Sequence, residues 1–221
     1  MSSSEYRIFE RNLDIDLKGL QEYLTLKYKE MLNNSLPEEN ELNDLLVKKY
    51  NMLNNLPGQL NKKYNIFKFN NKDIITLYKE LLSCTKEASE YYGFNFDEMD
   101  YMIRGWFNYE GKTENLSHDP LKNSRLFHDH LGGHPAPDFH GYYCVNAEPS
   151  STYYKLKGDT VYENKNINNR MIVVENGHPH SRGDWKEDTF RITIAYDIVP
   201  FKRLVEQGVD KKTHWIKFNE L

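Results

Sequence analysis

The stretch from Leu126 to Pro200 constrains this chain more than any other, because chemistry-bearing residues recur in it at the two-residue period of a β-strand. Phe190 to Ile198 reads Phe-Arg-Ile-Thr-Ile-Ala-Tyr-Asp-Ile, so a strand there places Arg191 and Thr193 on one face and Ile192 and Ile194 on the other. The same rule puts His128 and His130 of Leu126-Phe127-His128-Asp129-His130 on a common face, with Asp129 turned away. Two imidazoles on one face form a chelating pair. A third from His180, in Asn176-Gly177-His178-Pro179-His180 and on a later strand, would complete three protein ligands and leave coordination positions open for other molecules. Arg191 follows His180 by eleven residues. A permanently charged guanidinium beside the Thr193 hydroxyl suits a carboxylate.

One strand candidate, Tyr101 to Asn108, precedes this stretch, and along it lie Arg125 to Leu131, Gly141 to Ala147, Thr152 to Leu156, Arg170 to Glu175 and Phe190 to Val199. Short strands separated by turn-rich loops predict a sandwich or jelly-roll barrel. Glu110 to Lys122 reads as a polar loop, and Gly132-Gly133-His134-Pro135-Ala136-Pro137 as an irregular one.

Before residue 95 the period is helical. Leu13, Leu17, Leu20, Leu24, Tyr28, Met31 and Leu32 predict an amphipathic helix from about Asp14 to Asn33. Ser35-Leu36-Pro37-Glu38 has the form of a capping box and opens a second helix over about Pro37 to Asn54, stopped by Leu56-Pro57-Gly58. Asn71 caps a third, carrying Ile74, Ile75, Leu77, Tyr78, Leu81, Leu82 and Ala88, and Gly93 ends it. These stripes are core-facing surfaces. The last residues, 201–221, read as a short helix and strand anchored by Trp215, Ile216 and Phe218.

A chain of 221 residues can bury a sizeable core, and this one reads as one compact domain: a helical buttress over residues 1–95 packed on a β core over residues 96–221. The net charge of −4 gives no electrostatic case for nucleic acid. No window reaches the apolar length of a membrane span and no signal segment opens the chain, so the expected location is the cytoplasm. Cys84 and Cys144 fall in apolar contexts outside any Cys-x-x-Cys pair and read as reduced packing residues.

Seven of the eight histidines lie between His118 and His180, which concentrates ligand chemistry in the predicted sheet. No Gly-x-Ser-x-Gly elbow, His-Glu-x-x-His helix, zinc ribbon or Gly-rich phosphate cradle competes with that reading.

In order and spacing, Trp106-Phe107-Asn108, Phe127-His128-Asp129-His130, Gly141-Tyr142-Tyr143-Cys144-Val145, His180 and Arg191 to Pro200 resemble small 2-oxoglutarate and Fe(II)-dependent oxygenases of phage and marine-microbe type. The resemblance covers about residues 95 to 200. It implies a mainly β protein with N-terminal helices: a double-stranded β-helix, jelly-roll or cupin-like, buttressed by helices. It further implies Fe(II) held by the early His motif and the distal His, with His128, His130 and His180 as the preferred ligands. Arg191 would hold the distal carboxylate of 2-oxoglutarate and Thr193 would add a hydrogen bond. With O2 the reaction would convert 2-oxoglutarate to succinate and carbon dioxide and hydroxylate a small-molecule or protein side-chain substrate.

One departure is visible. The commonest triad is two histidines and a carboxylate, yet the residue two beyond His128 is His130. Asp138 is the alternative carboxylate ligand, Asp129 would need a bulge to turn inward, and His178 could exchange roles with His180. His134 and His140 are expected at the mouth of the site, and His118 and His214 outside it. Two rival functions stand beside the oxygenase: a three-histidine cupin-type metalloenzyme without 2-oxoglutarate, and a non-catalytic jelly-roll binding protein.

Overall fold

The computed structural model describes residues 7–34, 55–112, 127–128, 139–155, 160–206 and 214–219. Two antiparallel sheets face each other, and helices cover the outer face of the larger one. The expected second helix, about Pro37 to Asn54, and its capping box lie outside the described residues.

The helices carry the anticipated stripes. Helix α1 (Leu17–Asn34) buries Leu20, Leu24 and Tyr28 at four-residue steps. Asn55 caps a single turn, α2 (Leu56–Gln59), where the sequence suggested only a stop. After a 3-10 turn at Ile66–Lys68 comes α3 (Lys72–Tyr91), whose first turn is held by Asn71 Oδ1 accepting from the amides of Asp73 and Ile74. It ends before Gly93, which takes φ +78° without the penalty a Cβ would bring. Helix α3 buries Ile74, Leu77, Tyr78, Leu81, Leu82 and Ala88; each large apolar side chain contributes about 1.5–3 kcal/mol. A short α4 (Phe96–Met99) follows.

The strands are β1 (Ile8–Asn12), β2 (Tyr101–Glu110), β3 (Phe139–Asn146), β4 (Ser151–Lys155), β5 (Val161–Lys165), β6 (Arg170–Glu175), β7 (His180–Arg182), β8 (Arg191–Pro200) and β9 (Ile216–Lys217). The larger sheet has the order β1-β6-β3-β8-β2-β9 and the smaller β5-β4-β7. An isolated antiparallel bridge from His128 to His180 extends the smaller sheet past β7. From β2 onward the chain passes back and forth between the sheets: β2, the His128 segment, β3, β4 with β5, β6, β7, β8. A final helix α5 (Phe201–Glu206) and β9 return over the sheet, with Phe218 buried at 2% exposure.

Strand alternation divides the two faces of the larger sheet. Ile103, Phe107, Tyr109, Phe139, Tyr143, Met171, Val173, Ile192, Ile194, Tyr196 and Ile198 pack against the helices. Tyr142, Cys144, Ile172 and Val174 turn to the other side and meet Tyr154 of β4 between the sheets. Gly141 is required by close approach: a Cβ there would stand 1.9 Å from the Ile172 carbonyl oxygen.

Three expectations change. Helix and strand occupy about equal shares of the described residues, which are therefore not mainly β. The segment before residue 95 is more than a helical buttress, because β1 adds an edge strand that pairs with β6 from Ile8↔Val174 to Asn12↔Arg170. Its five residues, Ile-Phe-Glu-Arg-Asn, are too short to display a period. Glu110, expected to open a polar loop, is the last residue of β2, paired with Arg191.

Candidate active site

Register assembles the site. In β2 and β8 the cross-strand pairs facing the smaller sheet are Arg104–Asp197, Trp106–Ala195, Asn108–Thr193 and Glu110–Arg191. Neighbouring β3 aligns His140 with Asp197 and Cys144 with Thr193. Every second residue of three adjacent strands therefore points into one inter-sheet space.

One half of this space is built around Arg191, which is 4% exposed. Its Nη1 donates to Glu110 Oε2 at 3.1 Å and its Nε to Ser150 Oγ at 3.2 Å. Ser150 Oγ also accepts from Asn166 Nδ2 at 2.9 Å and donates to the Ala147 carbonyl at 2.5 Å. Thr193, the expected partner of Arg191, accepts from Asn108 Nδ2 at 3.2 Å. Asn55 Nδ2 reaches both Asn108 Oδ1 at 3.2 Å and Glu110 Oε1 at 3.1 Å, so the cap of α2 ties the two together. Arg182 of β7 closes the network from the smaller sheet, donating from Nη1 to the same Glu110 Oε2 at 2.9 Å.

Farther along the inter-sheet space, histidines gather. The backbones of His128 and His180 exchange hydrogen bonds of 3.0 and 2.8 Å, and their ring centroids are 4.4 Å apart at an interplanar angle of 55°. Imidazoles bound at right angles to one ion, each about 2.1 Å from it, have ring centres roughly 4.6 Å apart. His128 and His180 fit that spacing, and their tilt lets the ring planes cross. His140 is placed differently from expectation: it lies in β3 rather than at a loop mouth, is 3% exposed, and stacks on His180 at 4.8 Å with planes 17° from parallel. Nitrogen lone pairs lie in the ring plane, so stacked rings do not converge on one ion. Among the described residues no group of three His, Cys, Asp or Glu side chains is arranged to hold a metal.

The structure therefore brings together His128 and His180, and separately Arg191 and Thr193. His130, Asp138, Asp129, His134 and His118 lie outside the described residues. His178 Nδ1 stands 3.4 Å from the Lys155 carbonyl oxygen. His214, near the chain end, has its pKa lowered to about 4, by burial first and then by the charge of Arg104. The Cys144 thiol is pushed up to about 12 by burial, with the charge of Arg191 opposing the rise, so it is a protonated packing group. Burial likewise raises the Tyr142 phenol, which donates to Asn166 Oδ1 at 2.9 Å.

Sequence reasoning missed Glu110 and Arg182. The signal for Arg182 was present: it is two residues beyond His180 and shares its strand face. Glu110 was hidden because nothing local marks whether a strand ends at Asn108 or two residues later.

The chain is similar, at low identity, to several oxygenases. One is a 2-oxoglutarate-Fe(II) oxygenase family oxidoreductase from Burkholderia pseudomallei, at 16% identity and a TM-score of 0.42, over 59% of this chain and 58% of that one. Another is a dioxygenase for auxin oxidation from Arabidopsis thaliana bound to 2-oxoglutarate, at 10% identity and a TM-score of 0.41, over 57% of this chain and 50% of that one. Similarity to a candidate oxygenase from Shewanella oneidensis extends over 94% of this chain and 92% of that one, at 12% identity and a TM-score of 0.47. The chain thus spans between half and three-fifths of the length of the first two. No protein-family model and no curated protein matches the sequence. Among the described residues, no helix is long and apolar enough to cross a membrane.

Proposed function

We propose that this protein is a 2-oxoglutarate- and Fe(II)-dependent oxygenase that hydroxylates a small molecule or a protein side chain and releases succinate and carbon dioxide. The observation that carries the reading is one shared space between two sheets that holds both a cis-spaced imidazole pair, His128 and His180, and a buried arginine beside a threonine, Arg191 and Thr193. The alternation of strands between the sheets supports a double-stranded β-helix as the frame.

In this reading His128 and His180 would hold Fe(II) with a third ligand, His130 or Asp138, and the metal would supply the redox chemistry of an oxygenase. The chain's own residues prepare the site. Arg191 faces the cosubstrate carboxylate with a guanidinium already oriented by Ser150 and Glu110, so little side-chain entropy is lost on binding. Thr193 is fixed by Asn108. His140 packs on the face of His180 and limits rotation of its ring. Tyr154, fully buried with its ring 5.8 Å from that of His180, excludes water on that side.

Full-length protein supplied with Fe(II), 2-oxoglutarate and O2 is expected to release succinate slowly even without a hydroxylatable substrate. Release should require all three components and disappear in His180→Ala. A metabolite pool that accelerates release, read by mass spectrometry, would then identify the substrate class. Iron retention with no succinate under any condition would favour the three-histidine cupin reading instead.

A further inference from the structure

We propose that Arg182 is a second anion-binding residue, so that a carboxylate entering the inter-sheet space is held by one guanidinium from each sheet, Arg191 from β8 and Arg182 from β7. The identity of the ligand, 2-oxoglutarate, rests on the oxygenase reading; the charge argument does not. Both arginines donate to a single oxygen, Glu110 Oε2, at 3.1 and 2.9 Å, while Glu110 Oε1 is taken by Asn55. Glu110 is 2% exposed and the Arg182 side chain 18%. Among the described residues, two cations on one buried anion leave one positive charge uncompensated, and a carboxylate brought in by a ligand balances it. Arg182 Nη2 is buried and has no hydrogen-bond partner among the described residues, which leaves a donor for that carboxylate.

Glu110 then has two roles that oppose one another. It positions both guanidinia, and it competes with the ligand for them. Neutralising Glu110 should tighten ligand binding, and the gain should depend on Arg182. If Arg182 instead serves only to neutralise Glu110, its removal from a protein that already lacks the Glu110 charge costs nothing.

Calorimetric titration of anaerobic full-length protein with 2-oxoglutarate separates these cases, run in wild type, Glu110→Gln and the double variant Glu110→Gln/Arg182→Met, each with and without Mn(II). Glu110→Gln is expected to bind several-fold more tightly than wild type. Adding Arg182→Met should weaken binding at least about tenfold relative to Glu110→Gln, as the loss of a charged hydrogen-bond partner requires. The double variant removes both members of one ion pair, and an unchanged unfolding midpoint relative to Glu110→Gln attributes the loss to the site. Equal affinity in the single and double variants would overturn the proposal. The Mn(II) arm tests the oxygenase reading separately: affinity indifferent to metal contradicts chelation by the keto acid while leaving the comparison of variants intact.

Discussion

His128 and His180 exchange both backbone hydrogen bonds of an antiparallel bridge and hold their rings 4.4 Å apart. The bridge sets the spacing of the two backbones through main-chain bonds that need neither imidazole, so removing an imidazole should leave the frame standing. His180→Ala is expected to lower metal affinity on the order of 100-fold, while unfolding free energy stays within about 1 kcal/mol of wild type. Metal content after dialysis and a urea melt on the same preparation measure both.

Glu110 is the only acidic residue described in contact with Arg191 and Arg182. Glu110→Ala removes the counter-ion and leaves two guanidinia facing one another between the sheets. The expected cost is about 3–5 kcal/mol, against a smaller one for Glu110→Gln, which keeps an acceptor for one of them. Urea unfolding distinguishes the two variants, and equal midpoints would contradict the network as described.

Gly141 lies between β6 and β8, where an added Cβ would meet the Ile172 carbonyl oxygen and a Tyr196 ring carbon at 2.7 Å. Backbone oxygen cannot rotate away as a side chain can. Gly141→Ala should therefore destabilise by about 1–3 kcal/mol or more, with metal affinity falling in parallel because β3 carries His140 against His180. Thermal unfolding and metal titration of the variant test this.

What could be read from the sequence was whatever a local period encodes. The α3 stripe from Ile74 to Ala88 with its Asn71 cap, and the Arg191/Thr193 face of β8, both follow from spacing alone. What escaped depends on pairing. Five residues at Ile8–Asn12 have no strand signature of their own and become β1 by completing β6. His140 read as a loop residue, yet its environment is set by the β3–β8 register and by the arrival of His180 from the other sheet. Glu110 likewise acquires its role only from the strand opposite. Long-range partners, not propensity, decide such positions.

Acid stability should report on His214. Its pKa is lowered to about 4, whereas an unfolded histidine titrates near 6.5. Between those values the unfolded chain binds a proton that the folded chain refuses, so stability falls as pH drops from about 6.5 towards 4. His214→Gln should remove that part of the loss. Urea midpoints at pH 7 and pH 4.5 are expected to differ less in the variant than in wild type, and an identical difference would place the acid sensitivity elsewhere.

As proposed, one inter-sheet space binds a metal and a keto acid together. Anaerobic protein loaded with Fe(II) should show no visible absorption band until 2-oxoglutarate is added, and should then develop the weak metal-to-ligand charge-transfer band of a chelated keto acid. In Arg191→Ala the band should demand far more 2-oxoglutarate, because losing a buried charged partner costs about 2–5 kcal/mol, while Fe(II) remains bound. Absence of the band in wild type at saturating Fe(II) and 2-oxoglutarate would contradict joint binding in this space, and so would a band in Arg191→Ala that saturates at the wild-type concentration.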